Sequence, residues 1–263
     1  ISRMESERKV WSAESLRELM RYDFADGQVI VVSNRAPWIH HLEADGSTRV
    51  EQPAGGVVTG IEPLVSACGG IWIAWGSGSA DAQTADVNGH IQVPPVSPTY
   101  SLRRLFLTPE EVTGYYHGFS NQALYPLCLI THVRPVFNTT DWETYIQVNR
   151  RFAEAIIEEA KTEAPVVFIQ DYHLALVPQM VREKLPNAII LMFWHIPWPS
   201  AELFSICPWG EEILKGMLGA HIVGFHTTAH AHNFMATVQT TLEARVDLPA
   251  RRIAQSGNTT AIR

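Results

Sequence analysis

The chain has 263 residues, 46% hydrophobic and 18% charged, and its 20 Lys+Arg against 27 Asp+Glu give a formal net charge of −7. That is the balance of a soluble globular protein with room for one large domain or two small ones, and the acidic excess argues against a general nucleic-acid binder. No apolar run approaches the ~20 residues of a membrane span, the first ten residues lack an apolar signal segment, and Cys68, Cys128 and Cys207 form no CxxC pair, so a cytoplasmic protein without disulfides is expected.

Residues 1–27 form a polar N-terminal extension with a helical stretch from Ser12 to Tyr22. The β-branched run Val29–Val32 predicts a buried strand ending at Ser33-Asn34. A polar loop from Arg35 to about Pro53 comes after it. Gly55-Gly56 opens a helix that Gly69-Gly70 stops, and Ile71–Trp75 predicts the next strand. Residues 76–90 are small and polar and predict a loop, with strands near Ile91–Val96 and Leu102–Leu107. Thr108-Pro-Glu-Glu has the form of a capping box with Pro at the first helical position, heading a helix from Val112 to Ala123. Tyr145, Val148, Phe152, Ala155 and Ile156 recur at helical spacing within Asp141–Lys161. Strands at Val166–Ile169, Ala188–Trp194 and Ile222–Phe225 then alternate with helices at Leu174–Lys184 (interrupted by Pro178), Pro208–Gly219 and Ala229–Leu242. Such alternation predicts βαβ units, hence a mostly parallel sheet with helices on both faces. The chain begins at Ile1 rather than Met and stops as Ala261-Ile262 reads like a strand entry, so a piece of a longer protein is expected.

In an open α/β sheet, ligands bind beyond the carboxyl ends of the strands. Polar, ionisable and glycine residues stand after nearly every predicted strand here. Gly55-Gly56 before a helix fits a phosphate cradle or a tight turn. Arg35 fits an anion fork or a solvated loop. Asp171-Tyr172-His173 fits hydroxyl recognition and proton transfer, or a helix cap. His195 fits a site histidine or a satisfied core one. His226, His230 and His232 lack the carboxylate or cysteine that would complete a zinc set, so no metal and no cofactor is expected. GxGxxG, P-loop and GxSxG patterns are absent.

Taken in order, VVSNR, the Gly-Gly helix start, GYYHGFSN, QDYHLALVPQMVR, FWHIPWPSAELF, ILKGMLGAHIVGFHT and AHNF resemble the trehalose-6-phosphate synthase family of retaining glycosyltransferases. The resemblance runs from about Val29 to Phe234. It implies a GT-B arrangement of two Rossmann-like domains, of which residues 28–263 are the N-terminal, acceptor-side one, with the donor-binding domain outside this chain. It implies that glucose moves from a nucleotide sugar, UDP-glucose, to glucose 6-phosphate. These two substrates are the expected partners, with a homo-oligomer allowed and neither nucleic acid nor membrane. Arg35 matches the arginine on the acceptor phosphate, and Tyr116 the tyrosine beside it. Gly56, next to Gly55, matches the glycine that approaches the donor diphosphate, and Trp75 lies in an acceptor-lining segment. Asp171 matches the aspartate that orients the acceptor, flanked by Tyr172 and His173. His195 matches the histidine on the donor sugar. The chain departs from the family at Tyr125, where Trp is usual, and at Leu129, where His is usual. Both lie near the acceptor pocket, which keeps a different acceptor, as in glucosylglycerol-phosphate synthases, in play beside a non-catalytic sugar-phosphate sensor.

Overall fold

The computed structural model describes residues 12, 14, 15, 17–19, 27–129 and 133–263. Of the expected Ser12–Tyr22 helix, residues 14, 15 and 17–19 are helical, Ser12 is not, and residues 13, 16 and 20–22 lie outside the described residues, as do residues 1–11. Strand β1 is Val29–Arg35. The polar stretch after it is not a plain loop, since β2 (Ile39–Leu42) and β3 (Thr48–Glu51) form an antiparallel hairpin. Their four-residue lengths and mostly half-buried or exposed side chains leave no apolar pattern to find. Helix α1 (Gly56–Cys68) stops at Gly69, which takes the left-handed conformation at φ 59°, and leads to β4 (Ile71–Trp75). A single helical turn, α2 (Asp81–Thr84), interrupts the loop before β5 (His90–Val93) and β6 (Tyr100–Leu105).

The capping box forms as its spacing predicts. Thr108 Oγ1 accepts from the Glu111 backbone at 3.2 Å and the Glu111 carboxylate accepts from the Thr108 backbone at 2.8 Å, heading α3 (Pro109–Glu111). The expected α-helix beyond it is instead a π-helix over Val112–Leu124, which returns to α geometry as α4 (Tyr125–Leu129). Helix α5 (Thr139–Glu159) starts on an Asn138 cap. Strand β7 (Val166–Gln170) leads through a 3₁₀ turn at Tyr172–Leu174 into α6 (Val177–Lys184). Pro178 lies in the first turn of α6 rather than interrupting it, where its missing N–H costs nothing. Next come β8 (Ile189–Trp194), α7 (Ala201–Phe204), α8 (Gly210–Met217), β9 (Ile222–Phe225) and α9 (Thr228–Thr241). Strands β10 (Arg245–Asp247), β11 (Arg252–Gln255) and β12 (Asn258–Ile262) close the chain.

The ten strands of the main sheet run β10-β11-β12-β9-β8-β7-β1-β4-β6-β5. All neighbours from β12 to β6 are parallel, and the antiparallel pairs lie only at the two edges. Strand alternation divides the core between the faces. Ile30, Val32, Ile71 and Ile73 pack into the cluster that includes α5, α6 and α8, while Val29, Val31, Trp72 and Ala74 pack against Ile61 and Val65 of α1. The hairpin is tied down by a buried ion pair. Asp81 lies 3.1 Å from Arg104 with both side chains fully buried, and it accepts from the backbone of His40 and of Gly78, each at 2.8 Å. Arg104 also reaches the backbone carbonyls of Asp81 and Trp38 and the ring of His40.

Candidate active site

From β1 the chain proceeds to β4 and β6 on one side, and from β7 to β8 and β9 on the other. The β1–β7 boundary is therefore the topological switch point, where diverging loops open a crevice at the carboxyl ends. A cavity of about 240 Å³ lies there. It brings together seven residues singled out from sequence: Arg35 at the exit of β1, Gly55 and Gly56 at the start of α1, Tyr116, and Asp171-Tyr172-His173 after β7. Among the described residues lining it, Arg35 is the one cation and Asp171 the one carboxylic acid.

Neither glycine is demanded by packing, because a Cβ at Gly55 or Gly56 would meet nothing within 4 Å. Their bare backbone thus faces open cavity at a helix N-terminus, where free N–H groups and the helix dipole favour anions. The loop after β7 is held from behind by α5. Tyr145 donates to the Tyr172 carbonyl at 2.6 Å and accepts from Ala175 at 3.0 Å. Asn149, one turn on, donates to the His173 carbonyl at 3.0 Å and accepts from Leu176 at 3.2 Å. These two buried side chains satisfy backbone groups that no regular element serves.

Asp171 sits at φ 73°, ψ 170°, a region nearly confined to glycine. Its Oδ1 accepts from the backbone N–H of Tyr172 at 2.8 Å and of His195 at 3.1 Å. Burial raises its pKa to about 6, against those two hydrogen bonds, which lower it. His173 is kept neutral first by burial and then by the charge of Arg35, its pKa falling to about 3. Burial, then neighbouring His226, lowers that of His195 to about 4. His195 does not line the cavity itself. It adjoins it through the Asp171 carboxylate, and its Nε2 lies 2.8 Å from Oε1 of Gln170.

An aromatic wall flanks these groups. Trp75 packs 5.5 Å from Tyr116, Tyr116 stacks on His173 at 5.8 Å, and His173 on Tyr172 at 4.0 Å. Tyr125 lies 6.0 Å beyond Tyr172 and is 42% exposed. Trp75 and Tyr125 therefore extend the wall rather than line the cavity. Leu129, half-buried, ends α4. Three further polar residues belong to the site although sequence reasoning assigns them no role. Asn121 accepts from the Tyr172 hydroxyl at 3.1 Å, and Asn34 accepts from the Tyr115 hydroxyl at 2.9 Å. Gln170 is the third. Asn34 and Gln170 sit at strand exits beside Arg35 and Asp171, and that position is the one signal the sequence carries for them.

The π winding explains how Tyr116, Asn121 and Tyr125 come to face one site. With i→i+5 hydrogen bonds and roughly 4.4 residues per turn, positions i, i+5 and i+9 fall on one side. At 3.6 residues per turn, i and i+9 would point in opposite directions. The buried side, Tyr115, Phe119 and Leu124, keeps the same wide period. Among the described residues no group of three or more His, Cys, Asp or Glu is placed to hold a metal.

A switch-point cavity with an arginine, a carboxyl group, a neutral imidazole and an open helix N-terminus suits an anionic, hydroxyl-rich ligand. The fold around it is that of one domain of a GT-B glycosyltransferase. It superposes on a trehalose-6-phosphate synthase structure from E. coli bound with UDP-2-fluoro glucose with a TM-score of 0.72 at 24% identity, covering 90% of this chain and 48% of that one. An α,α-trehalose-phosphate synthase from Burkholderia xenovorans in complex with glucose-6-phosphate gives a TM-score of 0.70 at 23% identity, over 90% and 49% of the two chains. The sequence profile of glycosyltransferase family 20 matches residues 27–263, and the chain belongs to that family. It is 42% identical over 212 residues to the trehalose-6-phosphate synthase of Mycobacterium avium (strain 104), covering 81% of this chain and 42% of the relative. The Mycobacterium ulcerans (strain Agy99) synthase is 40% identical over 212 residues, covering 81% of this chain and 41% of the relative. The chain thus spans less than half the length of these curated relatives.

Proposed function

We propose that this chain supplies the acceptor-side half of an active site that transfers glucose from UDP-glucose to glucose 6-phosphate with retention, giving trehalose 6-phosphate. The observation that carries the proposal is the juxtaposition, in one switch-point cavity, of Arg35, Tyr116 and Asp171 with the open Gly55-Gly56 backbone. Arg35 and the Tyr116 hydroxyl hold the acceptor phosphate, a task suited to a planar guanidinium fork and a phenol. Asp171 accepts a hydrogen bond from an acceptor hydroxyl and fixes the sugar. The α1 N-terminus receives the donor diphosphate, and neutral His195 hydrogen-bonds the donor sugar. The bond from the anomeric carbon to the diphosphate oxygen breaks as the bond to the acceptor oxygen forms on the same face, and the leaving phosphate takes the hydroxyl proton. No nucleophile of the chain enters that step, so its contribution is positioning and charge stabilisation.

A second, donor-binding domain completing the cleft belongs to the same proposal, supported by the share of its relatives that the chain spans. A cytoplasmic location, with neither nucleic acid nor membrane as partner, belongs to it too. The net charge of −7 speaks against nucleic acid, and among the described residues no helix is long and apolar enough to cross a membrane. Titration of this chain with glucose 6-phosphate, glucose and glycerol 3-phosphate, followed calorimetrically, tests the acceptor assignment. Binding of glucose 6-phosphate alone supports it. A preference for glycerol 3-phosphate would favour the glucosylglycerol-phosphate reading, for which the exposed Tyr125 beside Tyr172 is the motivating observation.

A further inference from the structure

We infer that Gln170 is a positioning residue that holds His195 in a single neutral tautomer, with the proton on Nε2 and the lone pair on Nδ1. Gln170 is the last residue of β7 and is only 2% exposed. Its Oε1 faces His195 Nε2 at 2.8 Å, and with the amide oxygen toward the ring Nε2 is the donor. The placement of the ring is fixed by other groups. The His195 backbone N–H is held by Asp171, and the ring packs 4.7 Å from Phe193 and 5.4 Å from His226. Gln170 is left to decide one thing, which nitrogen carries the proton.

Gln170 also lines the switch-point cavity. Its Nε2 is buried and has no hydrogen-bond partner among the described residues. A buried amide with half its capacity unused is a liability to the fold, and an apolar side chain of similar shape would serve packing better. Such a group is explained if its value lies in His195. The titratable groups around His195 agree with a neutral ring. Asp171 meets its backbone rather than its ring, His173 and His226 are imidazoles, and no carboxylate hydrogen-bonds to the ring among the described residues. A free imidazole would populate both tautomers. A ring locked on Gln170 presents Nδ1 always as an acceptor for a sugar hydroxyl.

Only the activity arm of the test rests on the transferase reading. This chain, labelled with ¹⁵N-histidine, should show His195 as one Nε2–H tautomer from about pH 5 to 8. Gln170→Met should mix the tautomers while the melting temperature stays level or rises. Gln170→Glu should raise the His195 pKa by about one unit or more, because a carboxylate favours the imidazolium. In the full-length enzyme, Gln170→Met should lower kcat about tenfold with the acceptor KM little changed, and Gln170→Glu should give activity that rises with pH as the imidazolium titrates. An Nδ1–H tautomer in the parent, or an unchanged ring in Gln170→Met, overturns the inference. A tautomer that shifts as stated while kcat holds keeps Gln170 as the positioning group and instead removes His195 from the transfer.

Discussion

Asp171 combines two costs in one residue, a backbone conformation that side-chain-bearing residues avoid and a carboxyl group whose pKa is lifted to about 6. Raising an acid's pKa in the folded state means that the unfolded chain gives up its proton first as pH rises. Stability is therefore lost between about pH 4 and 6 and stays lost at neutral pH. Asp171→Asn keeps an oxygen to accept from Tyr172 and His195, so it should stabilise the fold at pH 7 by about 1–2 kcal/mol, a figure discounted because the side chain is open in part to the cavity. The same variant should weaken sugar-phosphate binding. Denaturant unfolding at pH 4 and pH 7, with binding measured alongside, checks both directions, and a destabilised Asn variant at pH 7 would contradict the first. Binding of the acceptor to the parent should also weaken as pH falls through 6. Arg35→Ala should cost acceptor binding roughly 1.5–3 kcal/mol, the worth of a charge-assisted contact, and leave the donor affinity of the full-length enzyme nearly unchanged. Calorimetry with each substrate reads the two affinities separately.

At the scale of elements, the π-helix is where sequence and structure part. The capping box was legible because Thr108 and Glu111 carry it locally. The wide winding was not, since a 3.6 period and a wider one both bury Tyr115 and Phe119, and hydrogen-bond register leaves no mark in composition. Gly114 and Gly118 mark the element that presses on it. A Cβ at Gly114 would come within 2.7 Å of the Thr144 side chain, and one at Gly118 within 2.5 Å of the Asp141 carboxylate. Gly118→Ala should therefore destabilise by about 1–3 kcal/mol through overpacking and should raise the acceptor KM by displacing Tyr116 and Tyr125 together. Thermal unfolding and KM, measured on the same variant, read the two effects. Tyr125→Trp with Leu129→His should reorder sugar and polyol phosphates by kcat/KM, since both residues lie on the face or end of this helical stretch. A ranking unchanged within about twofold, roughly 0.4 kcal/mol, would make them structural.

Across the whole molecule, the strand–helix alternation was enough to specify a mostly parallel sheet, while the strand order that puts the switch point between β1 and β7 left no mark in the sequence. The hidden features were built from long-range partners: the β2–β3 hairpin anchored by Asp81 and Arg104, and Gln170 with His195. None of these has a local pattern, because each residue answers to one far away in sequence. With a core on each face of one continuous sheet, the 263-residue chain should fold on its own. It should nevertheless form no trehalose 6-phosphate without a donor-binding half, and measurable synthesis by this chain would refute that.

The central place of β1 also sets a timetable. On one side Ile30 pairs with Ile71 of β4, which comes soon after it in the chain, but on the other Val29 pairs with Val166 of β7. At a synthesis rate of about 5–20 residues per second, the first strand leaves the ribosome on the order of ten seconds before its β7 partner exists. During that interval one hydrogen-bonding edge of a strand buried on both faces is bare, and the crevice beside Arg35 has only one wall. Premature termination anywhere before residue 166 should therefore yield an aggregation-prone chain rather than a smaller stable unit, since an unpaired apolar edge recruits other strands.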